Sequence, residues 1–372
     1  MQVDSDLHIH SPFSIASSRD MVPARLREGC RTKGLRVLGS GDGLHPGWRQ
    51  MWQETPDEGS GILVVPTGEV EDRDRVHHLI LMELWDNFEE LGAHLETDPA
   101  RLRTSGRPRV NLGGEAIAAR VHALDGLVGP AHAFTPWTSL YASFDRLADC
   151  YGAEPVDFVE LGLSADSSYG AGISDLRKIP FLTNSDAHSP SPVRLGREFT
   201  RLSVRELTCR GVLDAVRDGA IVMNAGFFPE EGKYNRTACT RCFRQYTLEE
   251  AVAMEWRCAD DRGRIKKGVR DRARELSDRS PAPRPPYLHL IPLGEIVQRV
   301  LGTSSPHTAK CRQLYGELIA AFGTEIAVLV DVPVGEIREV HAAVADAVDA
   351  LRSGRLVLHP GGGGRYGSFS FA

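Results

Sequence analysis

Residues 6–11 read Asp-Leu-His-Ile-His-Ser, and the same pairing of an apolar run with imidazole or carboxylate recurs through the first two hundred residues. LRVLGS is followed by Asp42 and His45 in GDGLHP, and GILVVPTGEVE brings Glu69 and Glu71. His77 and His78 open HHLILM, GLVGPAH carries His132, VDFVELGL carries Glu160, and IPFLTNSDAH carries Asp186 and His188. Most of these runs are continuous rather than alternating, as in strands buried on both faces. Helix-like stretches separate several of them, such as 21–34 and 114–126. In the latter, Ile117, Val121 and Leu124 repeat at helical spacing before Gly126. Alternating strands and helices predict a parallel sheet or barrel. In barrels the chemistry sits at the C-terminal strand ends, where these side chains fall. We read residues 1–228 as a barrel-like α/β domain.

Any one of these histidines or acids is most simply a cap or a core hydrogen-bonding group; their joint pattern says more. His8 and His10, two apart on a strand, share a face, and Asp186 and His188 repeat the arrangement. Glu69 is then free to bridge. Seven or more such ligands converging predict two or three divalent ions, of zinc, manganese, magnesium or iron type. Adjacent cations suit hydrolysis of a phosphate ester, because they ionise water and neutralise the phosphoryl oxygens. No GxSxG elbow, GxxxxGK[ST] loop or strand-linked GxGxxG occurs, which leaves serine-hydrolase and nucleotide-driven chemistry unsupported.

The chain has 372 residues, 41% apolar, with a net charge of −6. That length predicts two or three domains, and the charge gives no overall nucleic-acid signature. The start, MQVDSDLHIH, has no basic-then-apolar leader pattern, and no apolar run of membrane-spanning length occurs. A cytoplasmic protein without membrane attachment is expected. From residue 231 to 284, however, 14 Lys/Arg stand against 9 Asp/Glu. This stretch holds Cys239, Cys242 and Cys258, which without an export signal favour metal over disulfide. Asp261 occupies the fourth position of a CxxC…CxxC pattern, so a Cys3Asp structural zinc site is expected. Arg264, Lys266, Lys267 and Arg270 in the following basic run are candidates for phosphate contacts. The proline-rich 280–287 reads as a boundary. Beyond it, Ile337, Val340, Val344, Val348 and Leu351 form one helical stripe closed by Gly354. The expected organisation is a metal domain over 1–228, a cysteine module over 229–280 and a helical domain over 281–372.

DLHIHS, Gly41-Asp42, Glu69 in GEVE, His78 before LIL, His132 in PAH, and SDAH resemble the polymerase-and-histidinol-phosphatase (PHP) metal domain. That resemblance implies a distorted seven-stranded TIM-like barrel hydrolysing phosphoesters with two or three metals. It implies His8, His10, Glu69, His78, His132, Asp186 and His188 as ligands, with Asp42 or His45 as a further one. Asp42, Glu69, Asp186 and His188 become the candidate catalytic groups, with Glu71, His77 and Glu160 orienting the ligands. More narrowly, GDGLHPGW, ELGLSAD, GKYNRTACTRC…WRC…RIKKGV and PGGGGRYG are similar to the endonuclease Q family. This likeness implies nicking of DNA 5′ to uracil, hypoxanthine, xanthine or abasic sites. Lys233 and Tyr234 in GKYN, with Trp48 and Trp137, are candidate nucleotide-pocket residues, and the four glycines 361–364 a close approach to phosphate. The alternatives are a PHP phosphatase acting on histidinol phosphate or a nucleotide, and a non-catalytic DNA-binding protein. The basic cysteine module favours the nuclease, since a small-molecule phosphatase has no need of it.

Overall fold

The computed structural model describes residues 1–57 and 59–371. Strands β1 (Gln2–Asp6), β2 (Val37–Gly39) and β3 (Leu63–Val65) run parallel. Pro66 bends the third into β4 (Thr67–Glu71). The chain then reverses through a turn in which Asp72 Oδ1 accepts from the Asp74 and Val76 N–H groups. Five residues are too few for a crossover helix, so β5 (His77–Leu81) returns antiparallel to β4, and β6 (Leu127–Pro130) antiparallel to β5. This corrects the all-parallel expectation. β7 (Val159–Glu160) and β8 (Phe181–Leu182) resume parallel pairing. A bridge between Ile9 and Ala187 closes the ring onto the end of β1. The result is a distorted seven-stranded barrel, filled by Val3, Leu7, Val37, Val65, Leu79, Leu127 and Leu182.

β9 (Phe199–Ser203), β10 (Ile221–Gly226) and, after β11 (Ala238–Cys239) and β12 (Ile265–Lys266) of the cysteine module, β13 (Tyr287–His289) extend the sheet outward from β1. β11 and β12 pair as an antiparallel ribbon around Cys239, Tyr246, Ala251, Cys258 and Ile265. The helix Val269–Leu276 leaves the ribbon and docks on the barrel, where Arg272 donates to the Tyr141 and Phe144 carbonyls.

The C-terminal helices share one core with the barrel, joining Leu26, Cys30 and Trp48 to Ile296, Val344 and Val348. The expected stripe is two helices, Val334–Val340 and Ala342–Arg352. His341 adopts an extended backbone between them and caps the second through its imidazole. The final hairpin, β14 (Leu356–His359) with β15 (Ser368–Phe371), encloses the four glycines. Among the described residues, no helix is long and apolar enough to cross a membrane.

Glu198 is fully buried, with Oε1 accepting from the Phe227 N–H, and burial pushes its carboxyl up to about 8. Burial, with Glu295 nearby, does the same to Glu231. The folded chain therefore keeps protons that the unfolded chain releases near 4.5. That stability is present below the unfolded value and is lost as pH rises through about 8. Each group contributes a slope of about 1.4 kcal/mol per pH unit between those limits. Urea midpoints are expected to fall from pH 5.5 to 8, and Glu198→Gln to make that fall shallower by one group's share, about 1.4 kcal/mol per pH unit.

Candidate metal centre

One end of the barrel gathers six side chains from five separate strands. His8 and His10 follow β1, Glu69 lies in β4, His77 opens β5, His132 follows β6, and Asp186 follows β8. His10 Nε2 lies 3.4 Å from Glu69 Oε2 and 3.1 Å from Asp186 Oδ1. His8 Nε2 lies 3.7 Å from Glu69 and 3.9 Å from Asp186. On the other side of Glu69, Oε1 is 2.7 Å from His77 Nδ1 and 3.2 Å from His132 Nε2. Ligand-capable atoms thus fall into three groups, each within 4.8 Å: His8–His10–Glu69, His10–Asp186–His188 and Glu69–His77–His132. Glu69 links the first to the third.

The outward nitrogens of both opening histidines are held by acids. His8 Nδ1 meets Glu160 at 2.9 Å and His10 Nδ1 meets Asp42 at 3.0 Å. Such pairs fix the tautomer and aim the opposite ring nitrogen. The inward atoms His8 Nε2, His10 Nε2 and Asp186 Oδ1 are buried with no hydrogen-bond partner among the described residues. Burial opposes charge on His10, but Asp42 and Asp186 push it up to about 9. Against the same penalty, Glu160 and Glu69 hold His8 well above its ordinary value, and His77, His132 and His8 hold Glu69 well below its own. Asp42, His132 and Asp186 take left-handed backbones, with φ of 49°, 32° and 47°. Such strain in non-glycine residues collects where a side chain must be aimed.

Not every candidate joins the cluster. His78 faces away: its Nε2 lies 3.2 Å from Asp72 and its Nδ1 2.8 Å from the Tyr151 hydroxyl, in a separate buried network with Cys150. Consecutive strand residues point to opposite faces, and His77 takes the position expected of His78. Asp42 spends Oδ1 on His10 and Oδ2 on Ser11 and Ser14, so it orients rather than joins. His45 caps the helix Pro46–Glu54, and its Nε2 meets the Arg103 carbonyl. Trp48 is core, its indole N–H shared by the Ser40 and Gly41 carbonyls. Arg107, which no motif marks, reaches into the cluster with Nη1 3.0 Å from Glu69. A cavity of about 260 Å³, lined by His77, Arg107, His132, Thr135, Glu160 and Asp186, opens the cluster to solvent.

The cysteine module brings Cys239, Cys242, Cys258 and Asp261 within 4.8 Å of one another. Of the basic candidates, Lys266 lays its ammonium 3.7 Å over the half-exposed Trp137 ring, with the Tyr234 ring 6.2 Å from it. Lys233 lies over Tyr366. Lys267 and Arg270 pair with Glu275 and Asp271, and Arg264 sits in the ribbon, its backbone carbonyl accepting from Thr240. The glycine turn is neither tail nor phosphate cradle. The N–H groups of Gly361, Gly362 and Gly364 donate to Glu230, Arg365 and Lys233 carbonyls. At Gly363, with φ of 66°, a Cβ would overlap the Cys239 carbonyl.

The MJ0043 C-terminal-domain family matches residues 292–355. Uncharacterized protein MJ0043 of Methanocaldococcus jannaschii is 44% identical over 246 residues, 64% of this chain and 31% of that protein. The chain thus matches under a third of that relative's length. Uncharacterized protein YqxK of Bacillus subtilis is 36% identical over 301 residues, 78% of this chain and 73% of that protein. The lesion-specific endonuclease PfuEndoQ from Pyrococcus furiosus has a TM-score of 0.94 at 44% identity, over 100% of this chain and 96% of its own. Endonuclease Q complexed with a 27-mer duplex bearing an abasic lesion at the active site gives 0.94 at 43%, over 100% and 97%. Likeness at that level across barrel, cysteine module and helical region alike means that the chain belongs to the endonuclease Q family.

Proposed function

We propose that the protein is a metal-dependent hydrolase of the nuclease class that nicks damaged DNA in the cytoplasm. It cuts the phosphodiester 5′ to a deaminated base (uracil, hypoxanthine or xanthine) or an abasic site. Its working units are the barrel over 1–228, the cysteine module over 229–280 and the helical region over 281–372. The likeness of the whole chain to endonuclease Q on a lesion-bearing duplex is the observation that carries this reading.

The donor set fits divalent cations, because His8 Nε2, His10 Nε2 and Asp186 Oδ1 are buried, face one another and make no hydrogen bond. His8, His10, Glu69, His77, His132, Asp186 and His188 would hold two or three zinc, manganese or magnesium ions. When bound, these supply an ionised water and offset charge on the phosphoryl oxygens. Glu160 and Asp42 keep the ring nitrogens of His8 and His10 aimed inward. Arg107 offers a fixed cation on the cavity wall to a phosphate oxygen. On the cysteine-module side, Lys266 with Trp137 and Tyr234, and Lys233 with Tyr366, pair cations with aromatic rings, a combination that suits a backbone phosphate and a displaced base. A deaminated base is weakly paired and an abasic sugar is unpaired, so either leaves the stack more cheaply than an intact nucleotide. Cys239, Cys242, Cys258 and Asp261 would hold one structural zinc.

With Mn²⁺ or Mg²⁺, end-labelled duplexes carrying one uracil, hypoxanthine or abasic site are expected to be nicked on the 5′ side of the lesion. The undamaged duplex should react at least about 100-fold more slowly, a difference of about 2.7 kcal/mol. Equal cutting of undamaged DNA, or hydrolysis confined to p-nitrophenyl phosphate, would overturn the reading.

A further inference from the structure

The loop from Ser11 to Ser18 carries exposed apolar side chains beside the candidate metal cluster: Ile15 is 83% exposed and Phe13 38%. A single exposed hydrophobic is ordinary on a protein surface; the mounting of this one is not. Ser11 and Ser14 both donate their hydroxyls to Asp42 Oδ2, whose other oxygen holds His10. The Ser18 N–H donates to the His188 carbonyl, and the Phe13 carbonyl accepts from Gly106, next to Arg107. The Phe13 ring stacks on His45 at 3.8 Å, and His45 is itself fixed as a helix cap. Ala16, with φ of 63°, turns the tip. Each anchor of the loop belongs to the cluster or adjoins it. The side chain at its apex is β-branched, and therefore stiff.

We infer that Ile15 is a wedge that enters the base stack beside the lesion and holds open the gap left by the displaced nucleotide. The inference rests on the nuclease reading and adds to it the residue that supports extrusion. Extruding a nucleotide costs stacking energy, and proteins that kink or open duplexes offset that cost by inserting aliphatic or aromatic side chains between base steps. A mobile loop would lose the benefit to ordering entropy. This loop is already tied to the groups that position the scissile phosphate, so a stack opened by Ile15 lies in register with the cluster.

The test compares Ile15→Ser and Ile15→Leu with the wild type on two substrates: a matched duplex with one abasic site, and the same site inside a three-nucleotide mismatched bubble. Ile15→Ser is expected to lower kcat/KM at least tenfold on the matched duplex and less than threefold on the bubble, while Ile15→Leu retains both. In EDTA, 2-aminopurine beside the lesion should brighten on binding of the wild type and Ile15→Leu, and stay at the free-duplex level with Ile15→Ser. Equal losses on both substrates, or unchanged cleavage and fluorescence, would overturn the wedge while leaving the nuclease intact. A wild type that cuts neither substrate would remove the nuclease reading and the wedge with it.

Discussion

Asp186→Asn is expected to slow cleavage of a lesion-bearing duplex by at least about 10³-fold, which is about 4 kcal/mol of lost transition-state stabilisation. The variant keeps the size of the side chain, and asparagine tolerates the left-handed backbone found at this position. What it removes is the charged oxygen 3.1 Å from His10 and 3.9 Å from His8. A neutral amide there weakens the hold on any cation and leaves the two imidazoles with Glu69 as their one shared acid. Affinity for uncut DNA in EDTA, measured by anisotropy, should stay within about threefold. Metal content of the purified protein should fall in parallel with activity. The neighbouring histidines of β5 provide the internal control. His77→Ala should lose metal and activity together. His78→Ala should keep its metal but lose about 1–3 kcal/mol of stability, because it removes the partner of Asp72 Oδ2 and of the Tyr151 hydroxyl in the core. The opposite outcome at this pair would restore His78 as the ligand.

Glu325→Ala is expected to lower the unfolding free energy by about 3–5 kcal/mol, read from urea denaturation followed by circular dichroism. Glu325 is fully buried, and Oε1 lies 2.7 Å from the Lys33 ammonium, itself 2% exposed. Glu325 also accepts from the Leu293 N–H and from the Tyr315 hydroxyl, and Lys33 donates to the Pro192 carbonyl. The pair therefore ties a helix of the barrel to the C-terminal helices at a point closed to water. Removing the acid leaves an ammonium with a single carbonyl for compensation, which is far costlier than never having buried the pair. Lys33→Met with Glu325→Leu should accordingly recover most of the loss, to within about 1–2 kcal/mol of the wild type. A double variant no better than Glu325→Ala would mean that the packing around the pair, rather than its charge, holds the two regions together.

The sequence made much of this legible because barrel strands announce themselves twice, by a continuous apolar run and by the ligand at its end. His8, His10, Glu69, His132 and Asp186 were readable on that basis, and the structure brings all five into one linked cluster. The reversal at 72–76 was not readable from apolar periodicity, which carries no strand direction. With β5 running the other way its ligand stands at the start of the strand, and the choice between His77 and His78 turns on facing. A pair of adjacent histidines does not reveal that facing. Arg107 lies in a segment with no periodic pattern and reaches Glu69 through tertiary folding alone. The proline-rich stretch 280–287 reads as a boundary; in the structure Arg284 within it donates to the Leu176 and Ile179 carbonyls, and the chain runs directly into β13. Basic residues of the module were visible as a group, with Asp271 and Glu275 as their helical neighbours, while the seat of Lys266 on the Trp137 ring was not.

The reversed strand also orders events in time. Glu69 and His77 lie on a single hairpin, and hairpins close within microseconds. His8 reaches Glu160 only across 152 residues of chain, a contact that waits for the slow, non-local closure of the ring. The order expected from these separations is that Glu69 and His77 can meet on their hairpin first, while the other side chains of the cluster join them only when the ring closes.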